Sequence, residues 1–513
     1  MRTRATVFLV ATLLLAPLHS AAQASPLFRF AEEAGPYAVG LKVVQQYDHA
    51  RVFRRLTNEL GQPESGERAR PLQTLVWYPA QGTTGKAPLT VGDYAQWMAT
   101  ETNFGHPALS ASSERRIEGL KPTLQDRLRA VEDASLAPGR YPVVIYAPGA
   151  SGWSWENADL CEYLASHGYV VIASNSMGRA TRNMTIDMAG MNAQAADVSY
   201  LIGYAGTLPD TDMESVAAMG FSFGGLSILA AAARDDRIDA LVTLDGSMRY
   251  YPDMVKEAGD IHPEQMAIPL LAFTQGDISL EDQVRYFPRA TQAPNVLNEW
   301  KHGDLFAVHM LALAHVEFSA MNQRNEDVWK NSWFKAGYVR EDGTTSYGWI
   351  ARYTLRFLDA YLKRDDGALA FLKKSPVEVG VPAHFIAIDQ RNASGPAPTI
   401  DAFRAEVGHR GFDHAAEVYD AMKAKDASFA LEEHPVDSWA DELMANHHMP
   451  EALAVLRLNA RNHPQSGGVY ESLGFAYLRS GNKNAAADNF RKALAIDPND
   501  ADAQQQLRLL GAP

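Results

Sequence analysis

Gly220-Phe221-Ser222-Phe223-Gly224-Gly225 stands between a short apolar run, Val216–Met219, and a longer one, Leu226–Ala233. Strand, tight turn, helix is the context a G-x-S-x-G segment needs before it carries any meaning. A turn that tight brings the flanking residues against the neighbouring strand and helix, and glycines on both sides remove the clash. The serine is then held out at the C-terminal edge of a sheet. The next amide, that of Phe223, points where charge would develop on an attacked carbonyl oxygen. A chain with this feature must build a buried parallel sheet around it.

The other strands of such a sheet should be short apolar runs bounded by Gly, Pro, Asn or Asp. Val143–Tyr146, Tyr169–Ala173, Ala240–Leu244, Leu270–Phe273 and a run around Leu305–Leu313 fit. Helical stretches separate them: Asp159–His167; Ala195–Ala205, with Val198, Leu201, Ile202 and Ala205 on one face; and a closing helix marked by Ile350, Tyr353, Phe357, Leu358, Tyr361 and Leu362. Alternation of this kind predicts an α/β fold with a mostly parallel central sheet and helices on both faces. The catalytic core is expected over 141–372. Residues 25–140 are expected to add early strands at Gly35–Gly40 and Leu75–Pro79, with an irregular, partly helical segment between Gly82 and Leu136.

Residues 373–402 read as a linker, with Ala393-Ser394-Gly395-Pro396-Ala397-Pro398 its loosest part. An all-α tail is expected over 403–513. Pro464 and Pro498, and likewise Ala452 and Ala486, recur at the 34-residue period of a tetratricopeptide helix pair. The second unit runs through Tyr470, Leu473, Gly474, Tyr477, Gly481, Ala486, Phe490, Ala493 and Pro498. A looser first unit runs from Val436 through Trp439 to Pro464, and Gly411–Lys425 hints at a third.

Arg2 and Arg4, the apolar run Val7–Ala16 and the small-x-small Ala22-Gln23-Ala24 predict a signal peptide over 1–24. No later run is long enough for a membrane span, so no stable membrane anchor is expected. The single cysteine, Cys161, permits no intrachain disulfide and fits a bacterial periplasm better than a disulfide-rich secretory route. A net charge of −14 speaks against nucleic acid as a partner. No Cys/His cluster has zinc spacing, no phosphate-binding glycine motif follows a strand, and neither metal nor organic cofactor is expected. Cys161 reads as a buried inert thiol, and His447-His448 as a solvent-facing pair between helices.

A serine needs a base and an oxyanion site before it is a useful nucleophile. Of the histidines between Ser222 and the linker, His315 stands just past the last predicted strand. His309 lies within that strand, and His302 lies in a polar turn. Two acids compete to orient the base: Asp245, which ends the Ala240–Leu244 strand, and Asp277, which follows the next one. The loop Pro148-Gly149-Ala150-Ser151-Gly152 is small enough to bring a second amide to the oxyanion. Trp153 and Trp155 are open to two readings, acyl-pocket wall or core packing. So are Trp329, Trp333, Phe334, Tyr338, Tyr347 and Trp349, as a cap on the site or as core.

The segment Tyr141–Phe318 resembles the platelet-activating-factor acetylhydrolase and dienelactone hydrolase branch of α/β-hydrolases. The matching residues are Pro148–Gly152, Leu164-Ala165-Ser166-His167-Gly168-Tyr169-Val170-Val171, Gly220–Gly225, Leu244-Asp245 and His315-x-x-Phe318. The resemblance implies a triad of Ser222, Asp245 and His315, with the amides of Phe223 and Ala150 as the oxyanion hole. Where that family often has His-Gly in the oxyanion loop, this chain has Pro148-Gly149. The expected activity is cofactor-free cleavage of carboxylic esters by a serine hydrolase, short-chain acyl esters foremost, with thioesters, lactones and peptides left open. The leader adds export, and the repeats, which the resemblance does not cover, add a possible surface for a protein partner. The rival expectation is an inactive hydrolase domain serving as a scaffold.

Overall fold

The computed structural model describes residues 28–511 except 58–59, 64, 103, 106, 277–294, 332–336, 396 and 428. The expected signal peptide and Asp277 lie outside the described residues.

Among the described residues one sheet of eleven strands organises the chain up to residue 391. The strands are β1 (Ala38–Val52), β2 (Ala69–Gln81), β3 (Ala130–Glu132), β4 (Ser135–Leu136), β5 (Tyr141–Ala147), β6 (Val170–Ser174), β7 (Thr211–Phe221), β8 (Ala240–Leu244), β9 (Leu270–Gln275), β10 (Leu305–Met310) and β11 (Ile386–Arg391). Their spatial order is β11-β10-β9-β8-β7-β5-β6-β2-β1-β3, with β4 paired to β2. From β6 through β5 to β10 every pairing is parallel, so these strands all end on one edge. The early strands β1 and β2 pair antiparallel, and β2 joins β6 the same way.

Alternation along each buried strand feeds two cores. Val143, Ile145, Val216 and Ala218 face one side with α3 (Met188–Ala205) and α4 (Phe223–Ala232). Val144, Tyr146, Ala217 and Met219 face the other with α2 (Ala158–Ser166) and α5 (Arg340–Leu362). Sheets covered on both faces need near-continuous apolar strands, which is why β5, β6 and β8 are buried throughout. Among the irregular elements between β2 and β3 is α1 (Ala111–Leu120).

The stretch expected as a linker departs from that reading. Its Ile386–Arg391 segment is β11, antiparallel to β10 at the sheet edge. Ile386 is buried and Ile388 half-buried, while Ala387 and Asp389–Arg391 are exposed, so the apolar run Phe385–Ile388 gives way to a polar second half. Ala393 and Ser394 stay tied to the same region, through Asp304 Oδ1 at 2.7 Å and the Lys301 carbonyl at 2.8 Å.

Among the described residues seven α-helices follow: α6 (Ile400–Arg410), α7 (Ala415–Lys425), α8 (Glu433–Ala445), α9 (Met449–Asn462), α10 (Gly467–Arg479), α11 (Lys483–Ile496) and α12 (Ala501–Leu510). Their buried clusters draw only on residues from Ile400 onward. Ala452 and Ala486, one period apart, are fully buried, and a Cβ on Gly474 would stand 2.7 Å from the Phe490 ring. Small residues thus sit where paired helices touch. Among the described residues no helix is long and apolar enough to cross a membrane.

Candidate active site

Strand β7 delivers Ser222 at φ 53° and ψ −121°, a conformation L-residues rarely take. Close packing enforces it: a Cβ on Gly224 would stand 2.1 Å from the Ala147 carbonyl oxygen. The Ser222 amide donates to the Leu244 carbonyl at 3.1 Å, and its carbonyl accepts from Ser247 N–H at 2.7 Å. Ser222 occupies the N-cap of α4, yet its hydroxyl makes no capping bond. Ser222 Oγ lies instead 2.8 Å from His315 Nε2.

His315 opens the short helical turn His315–Phe318 beyond β10. Its Nδ1 lies 2.6 Å from Asp245 Oδ2. Asp245 is fully buried at the tip of β8, with φ 44°. Burial alone would raise its pKa. The bond and charge of His315, the Arg249 guanidinium and the Gln275 amide outweigh that and hold the carboxyl below its usual range. An ionised carboxylate only accepts, so Nδ1 carries the imidazole proton and Nε2 is left to accept from Ser222. Burial pulls the His315 pKa down, but the bond to Asp245, its charge and that of Glu156 push it above the ordinary histidine value. The His315 side chain is 35% exposed, so the line of groups opens to solvent at the end where a substrate would enter.

Asp245 Oδ1 is occupied as well. It accepts from Tyr250 O–H at 2.9 Å and from Gln275 N–H at 3.0 Å, and Gln275 Nε2 donates to the Tyr250 hydroxyl at 3.0 Å. The tip of β9, just before Asp277, thus presents an amide to Asp245. Phe221 stacks on the His315 ring at 5.3 Å, and Tyr250 meets it edge-on.

Phe223 and Ala150 border the same cavity as Ser222 and His315, with Ile186, Ser247, Tyr250, Tyr251 and Gln275. Its volume is about 250 Å³. The loop carrying Ala150 is pinned from several sides. Gln194 Nε2 donates to the Pro148 carbonyl at 2.8 Å, while Gln194 Oε1 accepts from Ser227 on α4, so loop and serine helix share one amide. Ser151 Oγ accepts from Met184 N–H at 2.8 Å. Arg182 spans Glu101 at 2.6 Å and the Ser176 carbonyl at 2.9 Å.

Other candidates fall elsewhere. Trp153 and Trp155 stack at 4.7 Å within the buried core and do not border the cavity. Tyr347 and Trp349 are core residues too. Trp333 and Phe334 lie outside the described residues, as does the side-chain environment of Trp329. His309 bonds Thr274 Oγ1 at 2.8 Å, and His302 bonds the Gly395 carbonyl at 3.1 Å. Cys161 is buried, with its thiol pKa raised by burial. His447 and His448 are exposed, and no metal-binding cluster occurs among the described residues. Sequence reasoning passed over Gln194, Tyr250, Gln275 and Glu156. None stands in a motif, and only the fold brings them to the site.

Residues 128–336 match the dienelactone hydrolase family. The match takes in β5 to β10 and therefore Ser222, Asp245 and His315, and it leaves out the helical tail. A solved structure, a ferulic acid esterase from Streptomyces cinnamoneus, is similar over 70% of this chain and 98% of its own, at 18% identity and a TM-score of 0.48. That level of similarity carries nothing about substrate. No curated protein matches the chain.

Proposed function

We propose that this chain is an exported serine hydrolase that cleaves small carboxylic esters through an acyl-enzyme. The observation that carries the reading is the unbroken line from Ser222 Oγ through His315 to the buried carboxylate of Asp245, at 2.8 and 2.6 Å. The dienelactone hydrolase match over the same segment supports ester hydrolysis as the chemistry.

In this reading Ser222 Oγ attacks the acyl carbon while His315 Nε2 takes its proton. The carbonyl oxygen becomes an oxyanion held by the amides of Phe223 and Ala150. His315 returns the proton to the departing alcohol, and water, activated the same way, releases the acid. Asp245 keeps the imidazole in the right tautomer and stabilises its cation. The small cavity, lined by Ala150, Ile186, Phe223 and the two tyrosines, suits a short acyl group. Residues 1–24 are proposed to direct export to a bacterial periplasm. The tail is proposed to be a tetratricopeptide-like surface for a protein partner.

A fluorophosphonate probe with peptide mapping tests the nucleophile. Covalent label on Ser222, with turnover of p-nitrophenyl esters falling as the acyl chain lengthens, is the expected result. An unlabelled, folded protein would sink the reading and favour a non-catalytic scaffold.

A further inference from the structure

Glu156 is a buried carboxyl that the mechanism above does not use. It follows the oxyanion loop in Trp153-Ser154-Trp155-Glu156 and is 7% exposed. Its Oε1 accepts the Gly149 N–H at 2.6 Å and the Tyr146 O–H at 2.8 Å. A Cβ on Gly152 would stand 2.7 Å from Oε2. The carboxyl therefore fills the inside of the loop turn that begins at Pro148 and ends at Gly152, with Ala150 at its crest.

The same residue also holds the other arm of the site. Its carbonyl accepts from Ser319 Oγ and from Met321 N–H, each at 3.1 Å, directly behind the His315–Phe318 turn. Its neighbour Asn157 donates to the Phe318 carbonyl at 3.1 Å and to the Tyr146 hydroxyl at 2.8 Å. One short segment thus ties the oxyanion loop, the end of β5 and the histidine turn together.

We propose that Glu156 is a positioning residue: by anchoring the Gly149 amide it aims the neighbouring Ala150 N–H at the oxyanion formed on Ser222. This rests on the serine-hydrolase reading given above. An amide bonded to an ionised carboxylate oxygen is held more firmly than one bonded to a neutral carbonyl. A loop whose neighbouring amide is fixed costs little reorganisation when the charge develops. Pro148 has no N–H of its own, so the Gly149 amide is the first in the loop that can be anchored.

The carboxyl is also electrically coupled to the site. Burial pushes its pKa up to about 7, against the Gly149 amide, the Tyr146 hydroxyl and the charges of Arg116 on α1 and Arg182 after β6. When ionised, it adds to the charge that raises the pKa of His315. Glutamine keeps the acceptor oxygen and removes the charge, whereas alanine removes both.

Wild type, Glu156→Gln and Glu156→Ala are compared on p-nitrophenyl acetate across pH, with melting followed by circular dichroism. Glu156→Ala is expected to lower kcat about 10- to 100-fold with KM within about threefold, as for a misdirected oxyanion donor. Glu156→Gln is expected to restore kcat to within about threefold of wild type. The acid limb of its kcat/KM profile should move to lower pH, because His315 loses a neighbouring negative charge. A folded Glu156→Ala protein with wild-type kcat overturns the proposal. Should alanine unfold the chain, the glutamine variant decides alone, and an unmoved acid limb overturns it. Fluorophosphonate labelling of wild-type Ser222 separates the two readings: without that label the nucleophile itself is wrong and this inference falls with it.

Discussion

The sheet and the tail of this chain solve the burial problem in opposite ways. In the sheet, residues far apart in sequence meet because parallel strands end on one edge. Ser222 and His315 are 93 positions apart and 2.8 Å apart in space. In the tail, each helix buries its face mainly against its sequence neighbours, as Gly474 of α10 does against Phe490 of α11. The first arrangement brings strained backbone and buried polar groups together at one edge of the sheet. Ser222 and Asp245 both take positive φ there, and buried Asp245, Glu156 and Gln194 are all hydrogen-bonded. The second spreads small, repeated contacts along a line, and its positive-φ residue among those described that is not glycine, His447, lies in the turn between α8 and α9. Chemistry needs the first kind of order, and an extended binding face needs only the second.

The sharpest way to break the comparison is at the elbow. Ser222→Ala should leave the fold unchanged and lower turnover by about 10⁶, as the loss of a triad nucleophile does. Purified variant retaining more than a few per cent of wild-type rate would show that the strained residue is not the reacting one.

Asp245→Asn should come next, at about 10⁴, because an amide at that position favours the wrong histidine tautomer. Asp277→Asn should change little, since Oδ2 of Asp245 already occupies His315 Nδ1 at 2.6 Å. A larger loss at Asp277 would reverse the two roles. The acid limb belongs to the same test. His315 must be neutral to accept the serine proton, and its pKa is raised by Asp245 after the opposing effect of burial. Activity is therefore expected to fall with decreasing pH from above the ordinary histidine value. In the asparagine variant that limb should sit at lower pH.

Gly224→Ala and Gly474→Ala apply one methyl group to each region. At Gly224 the new carbon would meet a backbone oxygen of β5 at 2.1 Å, and β5 cannot move without moving the oxyanion loop. Overpacking of this kind costs about 1–3 kcal/mol and more where backbone must yield. The variant is expected to melt earlier and to lose most activity. At Gly474 the contact is a phenylalanine ring, which can turn, so the tail loosens and ester turnover stays as it was. Equal losses of activity in the two variants would mean that tail and site are coupled.

How much of this was legible beforehand follows the same division. The elbow, the strands β5 to β10 and the helical character of the tail were readable because glycine, apolar runs and amphipathic spacing are local signals. Asp245 was not separable from Asp277 on the residues alone, since both follow a strand. The register of β8 against β9 sets Asp245 beside the Gln275 amide, and His315 Nδ1 meets the other carboxylate oxygen. Strand β11 was missed although Phe385-Ile386-Ala387-Ile388 is an apolar run, because its second half, Asp389-Gln390-Arg391, is polar and exposed and the run lies in a stretch otherwise rich in Pro, Gly and polar residues. Glu156, Gln194 and Tyr250 were hidden for a different reason. Their partners are backbone groups or residues of other elements, and no spacing rule announces that kind of bond.

The smallest effect expected is from removing the tail, and the position of the cut decides what the experiment means. A chain ending at Leu372 would lose β11 and leave β10 as an open edge, so its failure would say nothing about the helices. A chain ending at Gly395 keeps β11, the Asp304 contact to Ala393 and the Lys301 contact to Ser394. It gives up the contact of His302 with Asp426, at 3.4 Å, and the helices whose core is their own. That is one contact, set against a sheet core that the cut leaves whole. The shortened protein should therefore fold, take the fluorophosphonate label at Ser222 and hydrolyse p-nitrophenyl acetate within about twofold of the full chain. Folded but inactive protein would show that the tail completes the site, and would erase the distinction between the two regions. Unchanged kinetics would leave the helices to a partner, because seven helices that add nothing to a small-ester reaction still offer an extended face on which another protein can bind.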